Sequence, residues 1–183
     1  MTLLKSLVLP MGTDIIDFSL PATYGKTYSP SDFDDKKALA IIFMCNHCPY
    51  VKAIIDRLIK LQSDYSKKGV QIIGINANDA NDYPEDSFEN MQKWVKEKEI
   101  NFVYLRDESQ ATAKAYKAQC TPDIYVFNQN RQLAYHGRLD DNWQEPEKVK
   151  KHELRDALDA ILDDRPVSEQ QNPSMGCSIK WKN

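Results

Sequence analysis

The chain is 183 residues long, 42% apolar and 28% charged, which suits one domain with its own buried core. Its formal net charge of −3 provides no basic field for a phosphate backbone, which argues against a nucleic-acid partner. No apolar run reaches the roughly 18–20 residues that cross a bilayer, so no membrane partner is expected.

The stretch from Met1 to Pro10 is apolar enough to suggest a leader. Lys5 interrupts it, however, Pro10 ends it, and a small-residue cleavage site is missing. A cytoplasmic chain with a short N-terminal extension is the expectation. Residues 14–21 read as a short strand, Tyr24-Gly25-Lys26 as a small hairpin, and Ser29-Pro30-Ser31-Asp32 as a further turn. Residues 38–44 form a continuous apolar run, the pattern of a central strand covered on both faces. From residue 51 to 68, apolar side chains at Val51, Ile54, Ile55, Leu58, Ile59 and Leu61 keep helical spacing, and Gly69 supplies a stop.

Residues 70–76 are the next buried strand, and strand–helix–strand order makes the two strands parallel. Asp86 with Glu89 three places on resembles a capping box, predicting a helix from 86 to about 99. A strand at 102–105 and a short helix at 109–118 follow. Residues 123–127 and 132–136, joined by Asn128-Gln129-Asn130, read as an antiparallel hairpin. A last helix spans about 147–162 and buries Leu154, Ala157, Leu158, Ile161 and Leu162. No repeat or linker divides the chain. Residues 1–165 are expected to form one domain and 166–183 a tail packed on it.

There are four cysteines, Cys45, Cys48, Cys120 and Cys177. In a reducing compartment a Cys-x-x-Cys pair is catalytic or metal-binding more often than structural. Cys45-Asn46-His47-Cys48 sits where a strand hands over to a helix, and the positive end of a helix favours a thiolate. On this reading Cys45 is the acidic nucleophile. Cys48, one turn away, resolves any mixed disulfide on it, and Pro49 fits the helix's first turn. His47 either stabilises the Cys45 thiolate as an imidazolium or is simply solvated.

The strand, Cys-x-x-Cys and helix, followed by Thr121-Pro122 before a hairpin, resemble the thioredoxin fold. Asp17-Phe18-Ser19-Leu20-Pro21, Gly25-Lys26-Thr27-Tyr28, Cys45-Asn-His-Cys-Pro-Tyr-Val-Lys52, Gly137-Arg138-Leu139-Asp140-Asp141 and Pro173-Ser-Met-Gly-Cys-Ser-Ile-Lys-Trp181 narrow it. Together they resemble a peroxiredoxin-like branch of the redoxins, the alkyl hydroperoxide reductase or thiol-specific antioxidant type. The resemblance implies an α/β thioredoxin-like fold: a central mixed β-sheet flanked by helices, an N-terminal β-hairpin extension and an irregular C-terminal tail. It also implies a cis Pro122 that faces the cysteine pair and presents backbone to an extended substrate. In peroxiredoxins proper, Cys48 would attack peroxide within Pro-x-x-x-Thr/Ser-x-x-Cys; here Ile41 stands at the proline place and Cys45 at the Thr/Ser place. Gln119-Cys120 stands where a peroxide-polarising arginine belongs. Leu39 stands where thioredoxin has a buried aspartate, so another group or water must take the second cysteine's proton.

Three functions compete. The first is thiol–disulfide exchange through a Cys45/Cys48 couple. It needs a protein or small-molecule disulfide or thiol as substrate, an external dithiol reductant and no cofactor. The second is a thiol peroxidase acting on hydrogen peroxide or organic hydroperoxides. The third is a zinc- or copper-binding module, for which one Cys-x-x-Cys is only half a tetrahedral site.

Cys120 reads first as a small buried hydrophobe, with a disulfide relay as the alternative. Cys177 has two readings: a further redox thiol on a tail docked over the site, or an incidental residue beside apolar cover from Met175, Ile179 and Trp181. Arg138 contacts substrate or pairs with Asp140 at the surface. Asp140-Asp141 and Asp163-Asp164 read as solvated turn charges, with no metal expected. Trp94 and Tyr116 read as core.

Overall fold

The structure, a computed structural model, describes residues 3–7 and 9–182. The readings that touch Met1, Thr2, Val8 and Asn183 lie outside it. A five-stranded mixed sheet forms the frame, built from β4 (Ala38–Phe43), β5 (Val70–Asn76), β6 (Val103–Arg106), β8 (Asp123–Phe127) and β9 (Leu133–Gly137) in the order β6-β5-β4-β8-β9. β4, β5 and β6 run parallel, while β8 and β9 run antiparallel to their neighbours. This is the thioredoxin-like α/β arrangement that the resemblance implied.

All six residues of β4 are buried, because alternate side chains enter two different cores. Ala38, Ala40 and Ile42 pack with Val51, Ile55, Leu58 and Leu61 of α1 (Pro49–Tyr65) and with Leu154 and Leu158 of α4 (Glu153–Leu162). Trp94 of α2 (Phe88–Glu97) joins this core. Leu39, Ile41 and Phe43 pack on the opposite face with Tyr116, Tyr125 and Phe127, which follow α3 (Ala111–Ala115). A strand so enclosed holds the residue after it, Met44, and then Cys45, in a fixed place. α1 ends through a short 3-10 turn at Ser66–Lys68, closed by Gly69 at φ 92°, where a glycine meets no Cβ penalty.

The N-terminal hairpin is β2 (Leu20–Pro21) against β3 (Thr27–Tyr28). Only that end of residues 14–21 is strand; Asp14 makes a single bridge to Gln132. The last helix starts at Glu153 and not near 147. Asp141 accepts from the Lys150 and Lys151 amides at 2.8 and 3.1 Å, which pulls that segment out of helical register and caps the turn with a carboxylate. Among the described residues, no helix is long and apolar enough to cross a membrane.

The largest departure is the tail, expected to be irregular. Met175–Ser178 is a strand, β10, placed between β1 (Leu3–Lys5) and β7 (Cys120–Thr121) in a separate antiparallel sheet. Cys177 lies opposite Thr121 on one side and opposite Leu3 on the other. Gly176 makes this approach possible: a Cβ built there falls 1.9 Å from the Thr121 carbonyl oxygen. Gly176→Ala is therefore expected to lose about 2–3 kcal/mol of stability and hydrogen-exchange protection across 175–178. Unchanged denaturant midpoint and protection would contradict this packing.

Candidate active site

Two consecutive elements and the distant tail strand bring sulfur to one point. β4 delivers Cys45, the start of α1 delivers Cys48, and β10 delivers Cys177. The Cys45 sulfur lies 3.5 Å from Thr121 Oγ1, and the Cys48 sulfur lies 3.1 Å from the Thr121 carbonyl oxygen. Cys48 and Cys177 Sγ are 3.1 Å apart. The Thr121–Pro122 peptide is cis, as the resemblance implied. Cys45, Cys48 and Cys177 are each at most 1% exposed, so a reaction partner must enter past the polypeptide that covers them.

The structure reverses the expected order of acidity. α1 begins at Pro49, so Cys48, not Cys45, is the N-cap residue at the helix's positive end. A hydrogen bond from the Cys45 thiol is the strongest influence on Cys48. With further help from Thr121, Cys177 and the Val51 amide, it overcomes burial and brings the Cys48 thiol down to about 5. Cys45 moves the other way, pushed well above the ordinary thiol range by burial, by its bond to Cys48 and by the negative charge of Asp86. The bond between the two thiols thus lowers the Cys48 titration and raises that of Cys45, and the protonated Cys48 thiol donates to the Thr121 carbonyl.

Asp86 is the residue that sequence reasoning assigned elsewhere. The helix cap expected of it is made by Ser87, whose Oγ accepts from the Asn90 amide at 3.3 Å. The Asp86 carboxylate turns inward and is fully buried. It accepts from the Asn46 amide at 2.7 Å, from Asn78 Nδ2 at 2.7 Å, and bonds His47 Nδ1 at 2.6 Å. Burial alone would raise its pKa; the bonds from His47 and Asn78 hold it below the usual carboxylate value. The same hydrogen bond, working against burial, raises His47 above its ordinary 6.5.

His47 therefore neutralises Asp86 instead of serving Cys45 directly. Its ring stacks on Tyr83 with centroids 5.4 Å apart, and Asn46 Oδ1 accepts from Tyr104 at 2.9 Å. The available signal was local. Ser87 is the better cap, with Asn90 as its N3 residue, and the run of Asn and Asp from 76 to 86 exceeds what a plain loop needs.

For the metal alternative, Cys45, His47 and Asp86 present one sulfur, one nitrogen and one oxygen within 4.8 Å of one another. The other three cysteines, Cys48, Cys120 and Cys177, are not in this group. Cys120 is fully buried with its thiol pushed up by burial, in keeping with a small buried hydrophobe. Arg138 binds Glu153, with Nε 2.6 Å from the carboxylate; Asp140, its expected surface partner, takes Arg57 instead. A shallow apolar cleft beside Pro122 is lined by Tyr50, Ile54, Leu139, Trp143 and Met175, with the Tyr50 and Trp143 rings 4.2 Å apart.

A cysteine pair at the head of a helix, facing a cis-proline strand across a mixed sheet, defines a redoxin of the thioredoxin-like fold. Residues 11–136 match the AhpC/TSA family, and the chain belongs to that family, whose members are redox enzymes. No curated protein matches the chain. Among solved structures, an uncharacterized conserved protein from Geobacillus kaustophilus shares 45% identity over 100% of this chain and 97% of that one, with a TM-score of 0.94. A hypothetical protein from Sinorhizobium meliloti shares 40% over 97% and 98%, with a TM-score of 0.92. The thioredoxin domain of a thiol-disulfide oxidoreductase from Bacteroides vulgatus has the same fold at 17% identity, covering 70% of this chain and 89% of that one, with a TM-score of 0.61.

Two measurements check the electrostatics. Thiolate absorbance near 240 nm is expected to disappear as pH falls through about 5, to be absent in Cys48→Ser, and to shift to higher pH in Cys45→Ser; a thiolate that survives Cys48→Ser contradicts the assignment. Because Asp86 holds His47 above 6.5, the ion pair's stabilisation is fully present below that pH and is lost as pH rises through the raised value. In Asp86→Asn, the His47 titration read by NMR should fall to or below 6.5 and this pH dependence of stability should vanish. An unmoved His47 titration would be the contrary result.

Proposed function

We propose that the protein is a thiol–disulfide oxidoreductase that cycles Cys45 and Cys48 between dithiol and disulfide. The observation that carries this reading is a Cys-x-x-Cys pair with Cys48 at the helix N-cap, its sulfur 3.1 Å from the Thr121 carbonyl that precedes a cis proline. The Cys48 thiolate attacks a substrate disulfide and expels one thiolate. Cys45 then loses its proton, bonds to the Cys48 sulfur and releases the second thiol; an external dithiol restores the pair. The Cys45 proton leaves on the released thiol, so the step balances without the base that Leu39 replaces in thioredoxin. The apolar cleft along Pro122 offers a surface for the substrate's flanking groups. The fold shared with the Bacteroides vulgatus oxidoreductase domain fits the same chemistry.

Peroxide reduction is the second reading, favoured by an acidic Cys48 at the place of the family's peroxide-attacking residue. The commitment of Arg138 to Glu153 and a cysteine in the Thr/Ser place weigh against it. With a dithiol reductant, a small disulfide should be turned over, and Cys48→Ser should slow this by about 100-fold or more. Cys45→Ser combined with Cys177→Ser should accumulate a mixed disulfide on Cys48. Peroxide consumption faster than disulfide turnover in the same preparation would place the second reading first, and no disulfide turnover would refute the first.

A further inference from the structure

β10 occupies the edge of β7 that an extended substrate would use to reach the cis-proline and the cysteine pair. It runs antiparallel on Cys120–Thr121, with Cys177 opposite Thr121 and Ser178 opposite Cys120. Its closeness is fixed at Gly176, whose missing side chain lets the backbone lie against the Thr121 carbonyl. The tail presents a cysteine there, with its sulfur 3.1 Å from Cys48 Sγ, so closure to the roughly 2.05 Å of a disulfide needs about an ångström of movement. A buried tail sulfur held against the buried Cys48 sulfur goes well beyond what covering an apolar patch requires.

We infer that Cys177 is a third redox residue, an in-chain substrate that takes the disulfide from the Cys45–Cys48 couple. The inference rests on the proposed dithiol cycle and adds one exchange to it. Starting from the Cys45–Cys48 disulfide, the Cys177 thiol gives up its proton and its sulfur bonds to Cys48 Sγ. The Cys45–Cys48 bond breaks, its electron pair stays on Cys45, and Cys45 takes up a proton. One disulfide replaces another, with no net oxidation and no further reactant. Cys48 is the shared centre because it contacts both partners. Cys120 stays outside the exchange, its thiol turned to Ser6 Oγ at 3.9 Å and to the Pro122 carbonyl.

The test uses the full chain oxidised with diamide, quenched in acid, alkylated and mapped by non-reducing peptide mass spectrometry. In folded Cys45→Ser, peptides carrying Cys48 and Cys177 should be joined within a monomer, and Cys177→Ser should abolish that species. Wild type should contain both the Cys45–Cys48 and the Cys48–Cys177 links, and Cys177→Ser only the former. Cys177 remaining fully alkylatable after Cys48 has been oxidised, in Cys45→Ser or in wild type should that variant not fold, overturns the inference. Absence of any Cys45–Cys48 link from wild type and Cys177→Ser would instead fault the dithiol reading, while the Cys48–Cys177 link is still scored in Cys45→Ser.

Discussion

Thr121 is where the structure's separate parts meet. Its hydroxyl contacts Cys45, its carbonyl oxygen contacts Cys48, and its backbone pairs with Cys177. Each contact comes from a different element, and the residue itself is buried, so these bonds act at low dielectric, where geometry counts most. β4 fixes Cys45 because both of its faces are enclosed, and α1 fixes Cys48 because its apolar stripe packs back on that strand. Moving Thr121 would disturb all three sulfurs at once.

Two buried carboxylates flank this point, and both are fully engaged. Asp86 is held by an amide, an asparagine and His47 on the Cys45 side. Asp123, directly after Pro122, is bonded by His136 Nε2 at 2.9 Å, Ser6 Oγ at 2.5 Å and Tyr125 at 3.1 Å. Burying a carboxylate is costly unless it is paired and hydrogen-bonded. Here the partners come from distant segments, so the carboxylates tie the N-terminus, the 78–86 loop and β9 to the active region.

The frame of the fold was legible because its strands are continuous apolar runs and its helices are strongly periodic, as at residues 38–43, 70–76 and 51–65. What escaped the sequence depends on contacts that no local pattern encodes. Met175–Ser178 has neither alternation nor length, and becomes a strand only because two partners, far away in sequence, flank it. Asp86 carries a capping signature, but Ser87 beside it makes a better cap, and the half-buried His47 imidazole claims the carboxylate. The acidity order turned on the direction of the bond between the two thiols and on burial and Asp86 beside Cys45, which the spacing of the cysteines does not encode. The cysteines themselves were evident; the direction of their charge was not.

Lowering the Cys48 titration while raising that of Cys45 has a consequence for how the couple exchanges electrons. Between about pH 5 and the raised titration of Cys45, reducing the disulfide takes up one proton per two electrons. The midpoint potential then shifts by about 30 mV per pH unit, half the slope of a couple that binds two protons. Its oxidising strength is thereby partly insulated from swings in ambient acidity.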